Sequence, residues 1–171
     1  DLEYFKKHMQ ACTKHVKLIS EVERSIFMKY EIRRVTENDY LDIHALNQQL
    51  GYEYDKDKVK ERISNLLDAG TDIITVLEVE GKVVGYIHGI PYNTLYTDNL
   101  INMVAIVFSN SVEIDAKAKG ELFFEFEKRV KKNGYHGIRL TADVERDLLH
   151  EFLVSNGFEN KRDLKHYIKY F

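Results

Sequence analysis

"VFSNSVEIDAKAKGELFFEFEKR", Val107 to Arg129, joins an apolar, strand-like run to an amphipathic helix. Upstream, "NLINMVAIVF" is apolar enough for a strand central in a sheet. Downstream, Leu122, Phe123, Phe126 and Val130 fall on one helical face, and Asn133-Gly134 marks the stop. A strand that turns into a helix places unpaired N–H groups and a positive dipole end at the junction, which suits an anion. Glycine lets such a backbone come close to a phosphate, yet "IDAKAK" contains none.

Outward from this junction the pattern alternates between strand and helix periods. "YEIRRVT" has period-2 character. "TENDYLDIHALNQQL" opens with Thr36 or Asn38 as N-cap and sets Tyr40, Ile43, Leu46 and Leu50 on one face. "KDKVKERISNLLDAG" turns Val59, Ile63, Leu66 and Leu67 inward and stops at Gly70. "DIITVLEVEGKVVGYIHGI" reads as a hairpin with its turn at Glu80-Gly81. After the junction helix, "YHGIRLTAD" reads as a strand. "VERDLLHEFLVSNGF" reads as a helix with Leu149, Phe152 and Leu153 inward, and "DLKHYIKYF" as a terminal strand. The predicted order from Tyr30 is β-α-α-β-β-β-α-β-α-β, an α/β (α+β) arrangement.

The first 27 residues read separately, as one long helix. Leu2, Phe5, Met9, Cys12, Val16, Ile19 and Ile26 keep a 3,4 spacing that Glu23 interrupts. At 1.5 Å per residue it would be roughly 40 Å long. It reads either as an arm packed along the domain or leading from an upstream module, or as a dimerising helix. The division is 1–27 for this amphipathic helix and 28–171 for the domain proper.

The composition is that of a soluble globular domain: 171 residues, 44% hydrophobic and 31% charged, with a formal net charge of -3. That balance gives no reason to expect a nucleic-acid partner, and "MVAIVF" is far too short to span a bilayer. The single cysteine, Cys12, makes no intramolecular disulfide and suits a reducing compartment, the cytoplasm. No signal peptide is visible. The chain begins at Asp1 rather than at a methionine, which suits a processed product or a piece of something longer. The seven histidines and one cysteine lack metal-ligand spacing, so no metal is expected.

With these elements in this order, the chain resembles the GCN5-related N-acetyltransferase (GNAT) superfamily. "EIRRVTENDYLDIHAL" is similar to that family's first strand and helix, and "VLEVEGKVVGYIHG" to its second hairpin. "FFEFEKRVKKNGYHGIRLTADVERDLLHEFLVSNGFE" is similar to its third helix, fifth strand and fourth helix. The family run N-x-x-R-x-x-A-H-x-F-Y-x-x-x-G-F is met here by Asp143, Arg146, Leu149, His150, Phe152, Leu153, Gly157 and Phe158. The resemblance covers Tyr30 to Phe171. It implies a central mixed, mostly antiparallel sheet flanked by helices, acetyl-CoA as cosubstrate and a small amine as acceptor.

It also implies where the cosubstrate lies. A splayed fourth strand, here with Ala105, Ile106 and Val107, offers backbone groups to the pantetheine arm. The loop after it wraps the pyrophosphate in an R/Q-x-x-G-x-G/A pattern. Aligning the helix by its apolar face makes that loop Ile114 to Lys119, with no matching residue. A shift of one makes it Asp115 to Gly120, recovering Ala118 and Gly120 but misplacing Phe123 and Phe124. Lys117 and Lys119 are read as side-chain substitutes for the lost glycines or as solvated residues. Asp143, His150 and Phe152 complete the implied cosubstrate set.

The chemistry departs from the family in two places. Leu153 stands where a tyrosine often protonates the departing thiolate. "LINMVAIV" has no glutamate to serve as base, and its polar side chain is Asn102, which orients a water but does not titrate. His88 and Tyr92, late in the hairpin's second strand, are the other catalytic candidates. "GYEYDKDK" brings Glu53, Asp55 and Asp57 to the border of the acceptor pocket, where they read as attracting a cationic amine or as solvated. Two functional readings follow: direct attack by an amine on the thioester of acetyl-CoA, or a GNAT-like binding or regulatory domain that has lost efficient acetyl-CoA binding. A homodimer through the N-terminal helix, or through an upstream domain, accompanies either.

Overall fold

A computed structural model describes residues 29–171. The long N-terminal helix, and the dimer read from it, lie outside the described residues. The elements are β1 (Tyr30–Arg34), a 3₁₀ turn (Glu37–Asp39), α1 (Tyr40–Gln49), α2 (Lys56–Ala69), β2 (Ile73–Val79), β3 (Lys82–Tyr92), β4 (Leu100–Phe108), α3 (Ala116–Lys132), β5 (Gly137–Arg139) and α4 (Asp147–Ser155). The strands form one sheet in the order β1-β2-β3-β4-β5. The first three pairings are antiparallel, and β4 with β5 is parallel, as a β-α-β crossover through α3 requires.

Alternation along the strands separates two cores. Ile73, Leu77, Ile87, Ile101, Met103 and Ile106 meet Leu122, Phe123, Phe126 and Val130 of α3, with Leu153 of α4. On the opposite face Val76, Val83, Tyr86 and Val107 meet Ile43 and Leu46 of α1 and Val59 and Ile63 of α2. The molecule is therefore three layers, with the sheet between α3/α4 and α1/α2. The buried face of α3 is the set that the apolar periodicity selects, while Phe124 is exposed.

Local chemistry accounts for the element ends. Glu80 and Gly81 both take positive φ, 51° and 79°, which a type I′ hairpin turn demands. Asp55 caps α2 by accepting from the N–H groups of Asp57 and Lys58, and Gly70 closes it in the left-handed conformation at φ 65°. Arg33 makes a bidentate pair with Asp39 at 2.7 and 2.8 Å and reaches Glu78 with Nε, tying β1 and β2 to the start of α1. Burial alone would raise the Asp39 carboxyl, but the hydrogen bonds from Arg33 and Thr36 outweigh it and hold the pKa below the ordinary value. A depressed folded pKa gives stability that is complete above the unfolded value and lost as pH falls through the folded one. The melting temperature should therefore drop as pH falls below about 4. Asp39→Asn, measured in parallel, should start about 2 kcal/mol less stable at neutral pH and lack this part of the acid dependence.

Three sequence expectations are corrected. Leu50 is exposed rather than facing the core. The strand expected over Tyr135–Asp143 shortens to Gly137–Arg139, because β5 finds partners on β4 only from Leu100 to Asn102. The terminal strand expected over Asp163–Phe171 does not form, and Leu164, Tyr167, Ile168, Tyr170 and Phe171 are exposed. Alternation makes a segment compatible with a strand, but a strand also needs a ladder of backbone partners. A three-residue β5 offers little of one.

Among the described residues one buried side-chain polar atom is unsatisfied. Thr75 is fully buried on β2, and its Oγ1 has no hydrogen-bond partner among the described residues. Thr75→Val keeps the shape, removes the orphaned hydroxyl and retains β-branching. It should stabilise the protein by about 1 kcal/mol, seen as a rise of about 2–4 °C in Tm.

Candidate active site

The parallel pairing of β4 with β5 ends at Asn102–Arg139, where β5 itself ends while β4 runs on to Phe108. At the same level β4 carries a bulge: the partners step from Ala105 opposite His88 to Met103 opposite Gly89, leaving Val104 as the extra residue, 47% exposed. Beyond the bulge, the edge of β4 is open on its β5 side. Ser109 N–H donates to the Val84 carbonyl at 2.7 Å, which marks that pair as hydrogen-bonded. Alternation in the antiparallel ladder then assigns Tyr86/Val107 and His88/Ala105 as the next bonded pairs. Ile106 and Phe108 consequently turn their N–H and C=O groups into the opening. Ala105 and Val107 spend theirs on β3, so Ile106 alone of the three expected backbone contacts faces the fork, and Phe108 joins it.

The unpaired part of β4 leads through a connector to the N-terminus of α3. That helix starts at Ala116, so Lys117, Ala118, Lys119 and Gly120 form its first turn and not a loop. The connector is Ser109 to Asp115. Asp115 is the N-cap and accepts from the Ala118 N–H at 2.6 Å, so that donor is already taken, and Ala118 is buried. Lys119 lies over the Phe108 ring, with its ammonium 5.4 Å from the centroid, at the wide end of the fork. Lys117 is exposed and 3.8 Å from Glu121. Glu121 in turn accepts from the Tyr30 hydroxyl at 2.8 Å. Burial, followed by Glu121 and Asp115, pushes the Tyr30 pKa up to about 12.

At the narrow end, on the face that α1 and α2 only partly cover, polar side chains gather. Asn102 accepts from Arg139 Nη1 at 2.9 Å, and the Arg139 guanidinium stacks 4.3 Å from the Tyr92 ring centroid. His88 follows along β3, its Nε2 2.7 Å from Asp72 Oδ2, with side chains 21% and 9% exposed. An ionised carboxylate only accepts, so Nε2 carries the hydrogen, and in the neutral ring Nδ1 then presents a lone pair. Nδ1 makes no hydrogen bond among the described residues. Tyr86, on the same face, donates to Asn47 at 2.5 Å and is held at a pKa of about 12 by burial, so it braces α1 and does not titrate.

Two bulges put this set on one face. Counting back from the Glu80-Gly81 turn without irregularity would place His88 opposite Ile73, and Asp72 on the other side of the sheet. The shift at Leu77/Glu78 places His88 opposite Ile74 instead, which brings Asp72 round to it. The bulge at Val104 does the same for Asn102, setting it opposite Ile90. Of the residues gathered here, sequence reasoning named His88, Tyr92 and Asn102 as candidates and did not name Asp72 or Arg139.

The remaining expected residues lie apart. The His150 Nε2–H donates to the Asp143 carbonyl at 2.9 Å beside the start of α4. Phe152 is spent in the core, edge-on to Phe123 at 5.6 Å. Leu153 is buried there as well. Glu53 and Asp57 are exposed, and Asp55 is the cap of α2. Among the described residues no group of three His, Cys, Asp or Glu side chains is placed to hold a metal, and no helix is long and apolar enough to cross a membrane.

A sheet with a bulged fourth strand, forked from the fifth and followed by a helix at the fork's mouth, is the GNAT fold. Solved structures agree. The aminoglycoside N-acetyltransferase AAC(6')-Iy, in complex with CoA, superposes with a TM-score of 0.71 at 14% identity, over 83% of this chain and 95% of that one. Glucosamine-6-phosphate N-acetyltransferase from Arabidopsis thaliana gives 0.67 at 18% identity, over 84% and 99%. A transcriptional regulator from Bacillus halodurans C-125 gives 0.70 at 18% identity, over 82% and 100%. No family model and no curated protein matches the sequence. At these identities the likeness establishes the fold.

Proposed function

We propose that the chain binds acetyl-CoA along the open edge of β4 and transfers the acetyl group to the amine of a small acceptor. The observation that carries this reading is the fork: β5 leaves β4 after Asn102, freeing the backbone of Ile106 and Phe108 along a path to the N-terminus of α3. Acetyl-CoA bound there supplies an activated thioester at the narrow end. Its AAC(6')-Iy structural neighbour is in complex with CoA, and that protein and the Arabidopsis enzyme are N-acetyltransferases by name.

This chain's residues then divide the work. His88 Nδ1 takes the proton from the acceptor's ammonium, directly or through a water held by Asn102, and the Asp72 carboxylate steadies the imidazolium that forms. The neutral amine attacks the thioester carbon, and backbone N–H groups freed at the Val104 bulge stabilise the oxyanion. The C–N bond forms as the C–S bond breaks. With leucine at position 153, the thiolate leaves as such; the attacking nitrogen gives up its second proton to water as the amide forms, and water protonates the thiolate. Lys119 supplies positive charge to the pyrophosphate at the wide end.

A second reading, a binding or regulatory domain, has one observation in its favour. Asp115 puts a carboxylate where a pyrophosphate would lie and already uses the Ala118 N–H. Calorimetric titration with acetyl-CoA separates the two. The enzyme reading expects a dissociation constant tighter than about 100 μM, roughly -5.5 kcal/mol. A value weaker than about 1 mM, roughly -4 kcal/mol, would support the second reading.

A further inference from the structure

The geometry at the narrow end points to an acceptor amine that also carries a phosphate or carboxylate, and we propose that Arg139 binds that anion. This rests on the acetyl-transfer reading for where the acceptor lies, though the anion site can be measured without it.

Arg139 is half-buried, yet no carboxylate pairs with it among the described residues. Its one hydrogen bond there is from Nη1 to Asn102 Oδ1, a neutral acceptor. A guanidinium has five N–H donors in a planar fork, so Nε and Nη2 are left with unused capacity. Arg33 shows what this chain does with a structural arginine at similar depth: it gives it two carboxylates, Asp39 and Glu78. Arg139 is instead fixed from one side by Asn102 and from another by the Tyr92 ring. Stacking and a neutral hydrogen bond hold a guanidinium in place without neutralising it, which preorganises it for a bidentate anion.

Its position makes the anion part of the acceptor. Arg139 is the last β5 residue paired before the fork and stands opposite Asn102. Asn102 and His88 share the face of the sheet that the two bulges create. The backbones of β3 and β5 are two strand spacings apart, about 10 Å. An acceptor reaching from His88 to Arg139 therefore has its amine and its anion several bonds apart. The acidic Gly51–Asp57 loop does not argue for a cationic acceptor, because it is exposed and Asp55 is committed to capping α2.

The test uses matched pairs that differ by the anion: glucosamine 6-phosphate against glucosamine, and γ-aminobutyrate against butylamine. Each is titrated into the protein, with and without saturating CoA, by calorimetry and by following the Arg139 Nε–H resonance. The expected result is at least ~10-fold tighter binding of the anionic member of one pair, with the Arg139 resonance moving for that member only. R139Q should abolish the difference, and R139K, which keeps charge but not the planar fork, should retain part of it. Equal affinity within both pairs, no binding by any of the four, or a preference that survives in R139Q overturns the proposal. Should R139Q fail to fold, the resonance of the unchanged protein decides alone. Anion preference without any acetyl-CoA binding would sink the acetyl-transfer reading and leave the anion site standing.

Discussion

His88→Ala is expected to lower kcat for acetyl transfer by roughly 10²–10⁴-fold, which is about 2.7–5.5 kcal/mol of transition-state stabilisation. The affinity for acetyl-CoA should be unchanged, since His88 lies across β4 from the opening that takes the pantetheine arm. That split between kcat and cosubstrate binding separates proton transfer from a packing role. Asp72→Asn should fall between the wild type and His88→Ala. The amide keeps a hydrogen bond to Nε2 but no longer steadies a charged ring, and it can donate to Nε2, leaving the hydrogen on Nδ1 and removing the base. Measured as kcat and KM with any accepted amine, a change within twofold for His88→Ala would remove His88 from the mechanism.

Phe126→Ala is expected to be the most damaging core change, costing about 3–5 kcal/mol. Phe126 is fully buried, and α3 rests on the sheet partly through its ring. The contact is close on the opposite side too. A Cβ placed on Gly89 would meet the ring at 2.7 Å and Ile101 at 2.5 Å, so the glycine is what lets the helix approach β3. Urea unfolding should show the midpoint falling with little change in the slope m. A loss under 1 kcal/mol would mean that α3 is not held at this point. Because α3 forms the mouth of the fork, the same variant should also weaken acetyl-CoA binding.

What the residues disclosed follows the range over which each signal acts. The hairpin was legible because Glu80-Gly81 falls between two apolar, strand-like runs. The buried face of α3 was legible because Leu122, Phe123, Phe126 and Val130 repeat with the helical period. Both signals are local. The fork is a tertiary event: nothing within "LINMVAIVF" marks where its second neighbour departs. The two bulges are equally silent, and each moves a whole strand's side chains to the other face. That is why His88 and Asn102 could be nominated singly while Asp72 went unseen, immediately before a strand whose register slips at Leu77/Glu78. Arg139 lay in "YHGIRLTAD", read only as a strand. The segment "DLKHYIKYF" misled in the opposite sense. Its local pattern is right for a strand, but no strand of the sheet pairs with it.

The same distinction reframes the connector after β4. Its missing glycines suggested a lost phosphate loop. The structure makes "AKAKG" the first turn of α3 and gives its N-terminus an aspartate cap. The charge balance there, Lys119 against Asp115, decides how tightly a pyrophosphate is held. The free backbone of the fork decides whether the pantetheine arm is held at all.

Amide chemical-shift mapping with CoA decides whether the open edge of β4 is the cosubstrate site. The largest shifts should fall on Val104, Ile106 and Phe108 of β4 and on the first turn of α3 around Lys119, with β1 and α2 unmoved. An absence of shifts at millimolar CoA, or shifts confined to surfaces away from the opening between β4 and β5, would contradict that assignment.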